Sequence, residues 1–383
     1  MRDFTYYSPT RIIFEEGAYR SVGKYAKEYS SRVLLVYGSA SAKKSGVYDA
    51  VVASLKEYNI EITELSGIVP NPRLSRVYEG IALCKEKDIG LVLGLGGGSV
   101  IDTAKAIAIG ARQECDVWEL FKGGVRDNSL CIPIGVILTI PAAGSESSNS
   151  CVITNEETGR KLGYRTDTFK PSFAVLSPEL TLTLSPYQTA CGIADMMAHL
   201  MERYFSREEG TLLSDKLIEG AIQSIIALGR KIIETPNDLN TRKELMWAST
   251  LAHNGLFGMG RCEDWSVHAL AHEISALNDT AHGACFAILY PHWIKYTCSA
   301  DIKRAEGFFK AMFGTSSIDE GCAILTDFYK ALKLPTRLSE VGINKDDISV
   351  MAHTCATRNP SPTIGNFMPL TEEDALRIYL SAL

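Results

Sequence analysis

Residues 90–110 read GLVLGLGGGSVIDTAKAIAIG, and this stretch contains the pattern that decides the fold. Residues 90–95 are almost wholly apolar, which predicts a buried strand. Three consecutive glycines and Ser99 follow, and residues 100–110 then have helical spacing. A buried strand that runs through a glycine-rich turn into a helix is typical of a parallel β–α–β unit.

The same alternation continues on both sides of this unit. Further strands are predicted at residues 32–37, 61–67 and 131–140. Helices are predicted between them, at residues 47–58 and 74–87. Because the strands are apolar throughout, they indicate a parallel sheet that is covered on both faces.

Helical patterns dominate after Leu184, where strand patterns nearly vanish. The predicted helices are residues 186–205, 212–233, 241–255, 266–277 and 302–313. We therefore predict an α/β dinucleotide-binding domain over residues 1–184 and an all-α domain over residues 185–383.

The composition of the 383 residues excludes several classes of protein. A net charge of -6, with no long basic run, argues against a nucleic-acid or membrane-surface partner. Residues 1–17 lack the apolar core of a signal peptide, and no apolar run reaches the length of a membrane span. The ten cysteines are scattered and form no CxxC pair, so we expect reduced thiols and a cytoplasmic location.

The glycine-rich turn at residues 94–99 is a candidate phosphate site. Backbone amides at a helix N-terminus carry partial positive charge, and glycines allow a pyrophosphate to approach closely. The spacing differs from the GxGxxG fingerprint, so a tight turn without a ligand is the alternative.

Residues 38–44, GSASAKK, follow the strand at residues 32–37 and bear on the choice of coenzyme. Sheets that bind NAD often place an acid at such a strand end, where it accepts the ribose hydroxyls. This stretch has no carboxylate to repel a 2′-phosphate, and it offers hydroxyls and lysine. It favours NADP(H) over NAD(H), with a plain polar turn as the alternative.

Histidines and one aspartate recur at helical spacing in the second half of the chain. Asp195 and His199 are four residues apart, as are His268 and His272, and His282 follows a turn. One aspartate and three histidines can hold a divalent metal ion with a position left open, and this ligand set suits both Fe²⁺ and Zn²⁺. Ordinary buried histidines are the alternative.

Several longer motifs resemble the iron-containing (group III) alcohol dehydrogenases, and in particular their NADPH-dependent butanol dehydrogenase and aldehyde reductase branch. The motifs are YYSPTRIIFEEGA near the start, NPR, GGGSVIDTAKAIA, LTIPAAGSESS, GIADMMAHLMERYF and DWSVHALAHEISALNDTAHG. The resemblance implies a dehydroquinate-synthase-like fold, in which the N-terminal domain binds the coenzyme and the helical domain binds the metal.

Individual residues take expected roles from this resemblance. The metal ligands would be Asp195, His199, His268 and His282, with His272 near the metal but not bound to it. The motif matches imply these coenzyme contacts: Gly38, Ser39, Ser41, Lys43, Asn71, Gly97, Gly98, Ser99, Asp102, Thr139, Ser145 and Lys161.

The expected activity is therefore a metal-dependent, NADP(H)-dependent interconversion of small primary alcohols and aldehydes. The metal would polarise the substrate oxygen, and His272 is a candidate proton relay between alkoxide and solvent. A homodimer is expected from the resemblance. Two alternatives stay open, a lyase like dehydroquinate synthase and a protein that binds nucleotide or metal without catalysis.

Overall fold

The computed structural model describes residues 1–38, 41–123, 130–358 and 361–383. The chain forms two compact units, one of Tyr7–Leu184 and one that combines Met1–Tyr6 with Ser185–Leu383. The first six residues group with the C-terminal half of the chain through contacts such as that of the Arg2 amide with the Gly260 carbonyl oxygen (2.9 Å).

The unit of Tyr7–Leu184 is built on parallel strands. Its strands are β1 (Arg11–Phe14), β2 (Arg32–Gly38), β3 (Glu61–Ile68), β4 (Leu91–Gly96), β5 (Ile134–Leu138), β6 (Ser150–Asn155), β7 (Arg160–Arg165) and β8 (Phe173–Leu176). Among the described residues, six strands form one parallel sheet in the order β1-β8-β5-β4-β2-β3. The remaining two, β6 and β7, form an antiparallel hairpin. The sequence patterns predicted β2, β3, β4 and β5, but they predicted neither this hairpin nor β1 and β8.

Helices accompany this sheet. They are α1 (Val22–Lys27), α2 (Ser41–Lys44), α3 (Val47–Glu57), α4 (Leu74–Glu86), α5 (Gly98–Gly110) and α6 (Val117–Phe121). The predicted parallel α/β architecture is confirmed. Every residue of β4 is buried, which explains why its sequence lacks the alternation of a half-exposed strand.

The turn from β4 into α5 requires glycine because of close packing. A Cβ atom at Gly96 would lie 2.6 Å from the Val100 side chain, and one at Gly97 would lie 2.9 Å from the Cβ of Ile140. These distances are shorter than side-chain contacts allow. The glycines therefore bring the N-terminus of α5 directly against the carboxyl ends of β4 and β5.

The unit that contains Ser185–Leu383 is helical, as predicted. Its helices are α7 (Pro186–Tyr204), α8 (Leu212–Glu234), α9 (Leu239–His253), α10 (Ser266–Asn278), α11 (His282–Thr297), α12 (Ile302–Phe313), α13 (Ile318–Ala331), α14 (Lys345–Thr357) and α15 (Glu372–Ala382). Within the described ranges, none of the helices combines the length and the apolar character that spanning a membrane requires.

Helix α7 is the central helix of this unit. It begins at a capping box formed by Ser185 and Gln188, with Pro186 at the first helical position. Every residue from 190 to 204 is buried, and α7 packs against α8, α9 and α11. A helix that is buried on all sides must provide partners for every polar side chain it carries.

Candidate functional site

Three helices of the second unit bring together the predicted metal-binding side chains. Asp195 lies on α7, His268 in the first turn of α10, and His282 is the first residue of α11. One potential ligand atom from each of the three lies within 4.8 Å of the other two. His199, the fourth predicted ligand, borders this cluster. Its Nε2 is 3.3 Å from Asp195 Oδ1, and its ring centre is 4.6 Å from that of His268.

Glu202 determines which nitrogen of His268 is available. Its Oε1 accepts hydrogen bonds from His268 Nδ1 (2.7 Å) and from the His268 amide (2.9 Å), and Oε2 accepts one from the Trp265 amide (2.7 Å). Because Nδ1–H donates to this carboxylate, Nε2 carries the lone pair. Within the described part of the chain, His268 Nε2 is buried without a hydrogen-bond partner.

These observations test whether the residues fit a metal ion. A buried imidazole nitrogen that lacks a protein partner, close to a carboxylate and a second imidazole, is a donor set that suits Zn²⁺ or Fe²⁺. Burial lowers the pKa of His268, as do the neighbouring His199 and His282 rings. The neutral ring that results is the form that binds metals. The described residues therefore fit a divalent ion.

Gly283 allows α11 to approach α7 closely enough to form the cluster. A Cβ atom at this position would lie 2.0 Å from the carbonyl oxygen of Cys191 and 2.5 Å from its carbonyl carbon. Both are backbone atoms of α7, four residues before Asp195, and they cannot move aside independently of the helix. Glycine at 283 therefore keeps the neighbouring His282 near Asp195.

Two more histidines lie against the cluster. The ring of His272 is stacked on that of His282, with 5.3 Å between ring centres. The ring of His253, on α9, lies 4.1 Å from that of His199, and its Nδ1 is 2.7 Å from Nη2 of Arg203. His253 was not among the predicted site residues, because its position at the end of α9 shares no helical spacing with the others.

The predicted phosphate-binding residues gather at the carboxyl ends of β4 and β5. Gly98 and Ser99 are the first two residues of α5, and Gly97 precedes them. Thr139 directly follows β5, and its amide donates to the Gly96 carbonyl oxygen at 3.0 Å. A Cβ atom at Gly98 would meet only the Ala143 side chain, at 3.9 Å, so space remains beside the helix N-terminus.

The remaining predicted coenzyme residues form pairs that are distant in sequence. Lys161 Nζ donates to Asn71 Oδ1 at 2.8 Å, and Ser145 Oγ donates to Asp102 Oδ1 at 2.7 Å. Each of these two hydrogen bonds thus joins two of the predicted coenzyme residues. The sequence motifs alone did not predict either contact.

An acidic residue that the sequence patterns did not place at the coenzyme site, Glu64 of β3, lies beside the end of β2. Gly38 ends β2 and Lys43 lies on α2, with its Nζ 4.7 Å from the ring centre of Tyr48. The Glu64 carboxylate, from the adjacent β3, accepts hydrogen bonds from the Tyr37 hydroxyl (2.6 Å) and the Tyr48 hydroxyl (2.7 Å). The predicted residue Ser39 lies outside the described residues, and Ser41 is described only as the first residue of α2.

A parallel α/β unit with a glycine-rich helix N-terminus, and a helical unit with an Asp–His cluster, define a class of nicotinamide- and metal-dependent dehydrogenase folds. The family described as iron-containing alcohol dehydrogenase matches residues 9–178, and its C-terminal family matches residues 189–383. The chain belongs to the iron-containing alcohol dehydrogenase family, as its motifs predicted. It is thus a butanol dehydrogenase-like oxidoreductase.

Proteins of known name are similar in sequence to this chain along nearly its whole length. The chain is 40% identical to NADH-dependent butanol dehydrogenase A of Clostridium acetobutylicum, covering 99% of both proteins. It is 33% identical to the NADPH-dependent aldehyde reductase YqhD of Escherichia coli over 100% of both. The crystal structure of NADH-dependent butanol dehydrogenase A from Thermotoga maritima superimposes with a TM-score of 0.96 at 36% identity, covering 100% of this chain and 99% of that one.

Replacing Gly283 with alanine should weaken metal binding. The new methyl group forces α11 away from the α7 backbone and separates His282 from Asp195. Since metal–ligand distances tolerate only a few tenths of an ångström, we expect the affinity for Zn²⁺ to fall by about tenfold or more. The measurement is titration against a chromophoric chelator, together with the metal content of the purified protein.

Gly220→Ala is the matched control for this variant. Gly220 is also a helical glycine, on α8, and a Cβ atom there would meet nothing within 4 Å. We expect Gly220→Ala to bind metal like the wild type. Equal metal affinity in the two variants would contradict the role assigned to Gly283.

Replacing Glu202 with glutamine should also lower metal affinity, while the shape of the side chain is kept. The amide lacks the negative charge that holds the His268 Nδ1–H, and such supporting partners contribute about 10–100-fold in metal affinity. The same chelator titration measures the effect. Glu219→Gln is the control, because Glu219 is a second buried helical glutamate whose partners are Tyr204 and Lys216. An unchanged metal affinity in Glu202→Gln would contradict the assignment.

Proposed function

We propose that the protein is a metal-dependent NADP(H) oxidoreductase that interconverts small primary alcohols and aldehydes. The observation that carries this proposal is the cluster of Asp195, His268 and His282 in a chain whose other unit has a glycine-rich helix N-terminus. The likeness to a butanol dehydrogenase and to an aldehyde reductase supports the substrate class.

The metal ligands in this proposal are Asp195, His199, His268 and His282. A bound Fe²⁺ or Zn²⁺ supplies a Lewis acid for the substrate oxygen. The chain itself contributes the neutral imidazoles and the carboxylate that hold the ion. Glu202 keeps His268 in the tautomer whose Nε2 faces no protein partner.

The coenzyme residues in this proposal lie in the other unit. The amides of Gly97, Gly98 and Ser99 bind the pyrophosphate at the N-terminus of α5, where the helix dipole favours negative charge. The side chains around this turn orient the rest of the molecule: Asn71, Asp102, Thr139, Ser145 and Lys161. A nicotinamide coenzyme held by these residues would supply the hydride-transfer chemistry.

The preference for NADP(H) is supported by the residues at the end of β2. Gly38 carries no carboxylate that would repel a 2′-phosphate, and Ser39, Ser41 and Lys43 offer hydroxyls and an ammonium group. The hydrogen bond with Tyr37 and, to a smaller extent, the negative charge of Glu64 raise the pKa of Lys43, so the ammonium group stays charged. Glu64 opposes the preference in a different way, because its own carboxylate would repel a 2′-phosphate. Relatives are named for either coenzyme, so both coenzymes belong in the test.

The proposal also includes a homodimer in the cytoplasm. The ten cysteines are all free thiols, which agrees with a reducing compartment. The dimer follows from the family resemblance alone, and sedimentation of the purified protein measures it.

The first test follows nicotinamide absorbance with purified protein and butanal. NADPH and NADH are run in parallel, before and after chelation, and again after Fe²⁺ or Zn²⁺ is added back. We expect oxidation of NADPH to exceed that of NADH, to stop with chelator and to return with metal. Asp195→Asn should lose both the metal and nearly all activity, because the carboxylate ligand is removed.

The outcomes of this assay separate the candidate functions. Oxidation of neither coenzyme by metal-loaded protein would contradict the proposed reaction and favour a lyase or a binding protein. Faster oxidation of NADH would leave the reaction class standing and contradict only the coenzyme preference. Normal turnover in metal-free Asp195→Asn would contradict the role of the metal.

We propose that His272 relays a proton between the substrate alkoxide and solvent through its imidazole ring. It is half-buried and stacked on His282, and imidazole exchanges protons readily near neutral pH. His272→Ala should lower turnover by about 10²-fold, the usual contribution of a proton-transferring group, and keep its metal. The exposed His353→Ala is the control. Loss of metal in His272→Ala, or an unchanged rate, would contradict the relay.

A further inference from the structure

Lys105 is a fully buried charged residue of the α/β unit that the proposed function does not use. It lies on α5 among apolar neighbours, and its exposed fraction is 0%. A lysine is almost never fully buried unless its ammonium group is hydrogen-bonded, since removing the charge from water is costly. Its partners therefore indicate what the residue holds in place.

All the acceptors of Lys105 lie in one short segment, which runs from the connection after β5 to the first residue of β6. Nζ lies within hydrogen-bond distance of four acceptors: Ser145 Oγ (3.0 Å), the carbonyl oxygen and the Oγ of Ser148 (3.0 and 3.2 Å), and the carbonyl oxygen of Ser150 (2.9 Å). The three hydrogens of the ammonium group are shared among them. The ammonium group thus ties both ends of residues 145–150 to α5. We call residues 145–150 the serine segment.

Asp102, one turn before Lys105 on α5, holds the same segment from the other side. Its Oδ1 accepts from Ser145 Oγ (2.7 Å), and its Oδ2 accepts from the Val152 amide (2.9 Å). Burial raises the pKa of Asp102 and lowers that of Lys105, and the attraction between the two opposite charges opposes both shifts. The serine segment is therefore fixed by the fully buried ammonium group of Lys105 and the half-buried carboxylate of Asp102.

This arrangement also fixes the direction of the hydrogen bonds at Ser145. Its single hydroxyl hydrogen goes to Asp102, and Lys105 donates to its oxygen. The oxygen retains one lone pair and no hydrogen for a further partner. A ligand group that meets Ser145 must then be an O–H or N–H donor, such as a ribose hydroxyl or a carboxamide, because a phosphate oxygen offers no hydrogen.

We propose that Lys105 is a positioning residue of the coenzyme site, which holds the serine segment against α5 and presents Ser145 as a hydrogen-bond acceptor to the coenzyme. The inference rests on the proposed function, in which Asp102, Ser145 and the N-terminus of α5 bind NADP(H). It adds a residue that does not itself touch the coenzyme.

Lys105→Met tests the proposal, because methionine has a similar length and lacks every N–H donor. We expect amide hydrogen exchange of a peptide that covers residues 144–150 to accelerate about tenfold. The dissociation constant of NADPH, measured by calorimetry, should rise about tenfold as Ser145 loses its fixed position. The metal content of the protein should stay unchanged, since the metal ligands lie in the other unit.

Ile107→Val is the matched control on the same helix. Ile107 is fully buried, and its shortening lowers stability without touching the serine segment. We expect a lower unfolding temperature with unchanged NADPH affinity and unchanged exchange at residues 144–150. An equal loss of NADPH affinity in both variants would overturn the proposal, since Lys105 would then act only through overall stability.

Three further results would contradict either the role of Lys105 or the proposed function. Folded Lys105→Met with the exchange rate or the NADPH affinity of the wild type overturns the positioning role. If that variant does not fold, Ser148→Ala removes one of the four acceptors of Lys105, and it should raise the NADPH dissociation constant about twofold to threefold. No change there would again overturn the role. A wild-type protein that binds neither NADPH nor NADH would instead overturn the proposed function.

Discussion

Burial of the polar side chains on α7 is the constraint on which the candidate metal centre depends. Asp195 and His199 are each 5% exposed, Glu202 is 1% exposed and Arg203 is 2% exposed. Removing such groups from water costs several kcal/mol each unless they are hydrogen-bonded or paired. Glu202 meets this requirement through the N–H groups of α10 and the residue before it, and Arg203 through His253 on α9 and the His199 carbonyl oxygen. The contacts of α9 and α10 that satisfy the buried side chains of α7 therefore also hold the cluster residues in position.

The α/β unit follows the same physical rule with different side chains. Helix α5 is almost entirely buried, and its two charged residues, Asp102 and Lys105, face a segment of serines that satisfies both. In each unit, the polar groups that an apolar helix must accommodate lie where ligand-binding residues are proposed. In the proposed function, the ligand-binding residues therefore lie beside buried side chains that hydrogen bonds hold in place, which favours a preorganised site.

The choice between NADH and NADPH depends on a few side chains and not on the fold as a whole. This chain resembles relatives named for NADH and for NADPH at similar coverage, so the shared architecture does not distinguish them. In the proposed function, the distinction depends on charges near the end of β2, where Lys43 would attract a 2′-phosphate and Glu64 would repel it. Both side chains contact Tyr37 and Tyr48, Lys43 over their rings and Glu64 through their hydroxyls.

The sequence by itself determined the architecture, because apolar strands, glycine-rich turns and helical spacing are local patterns. It also predicted four metal ligands, Asp195, His199, His268 and His282, from helical spacing and from long family motifs, and the structure brings Asp195, His268 and His282 together. The β6–β7 hairpin was not predicted, because its two strands are too short to carry a clear periodic pattern. Only the tertiary structure decided that Glu202 supports His268, that Glu64 reaches Tyr37, and that Lys105 holds Ser145. Each of these contacts joins residues between 27 and 66 positions apart, and such pairings follow from how helices and strands pack rather than from local spacing.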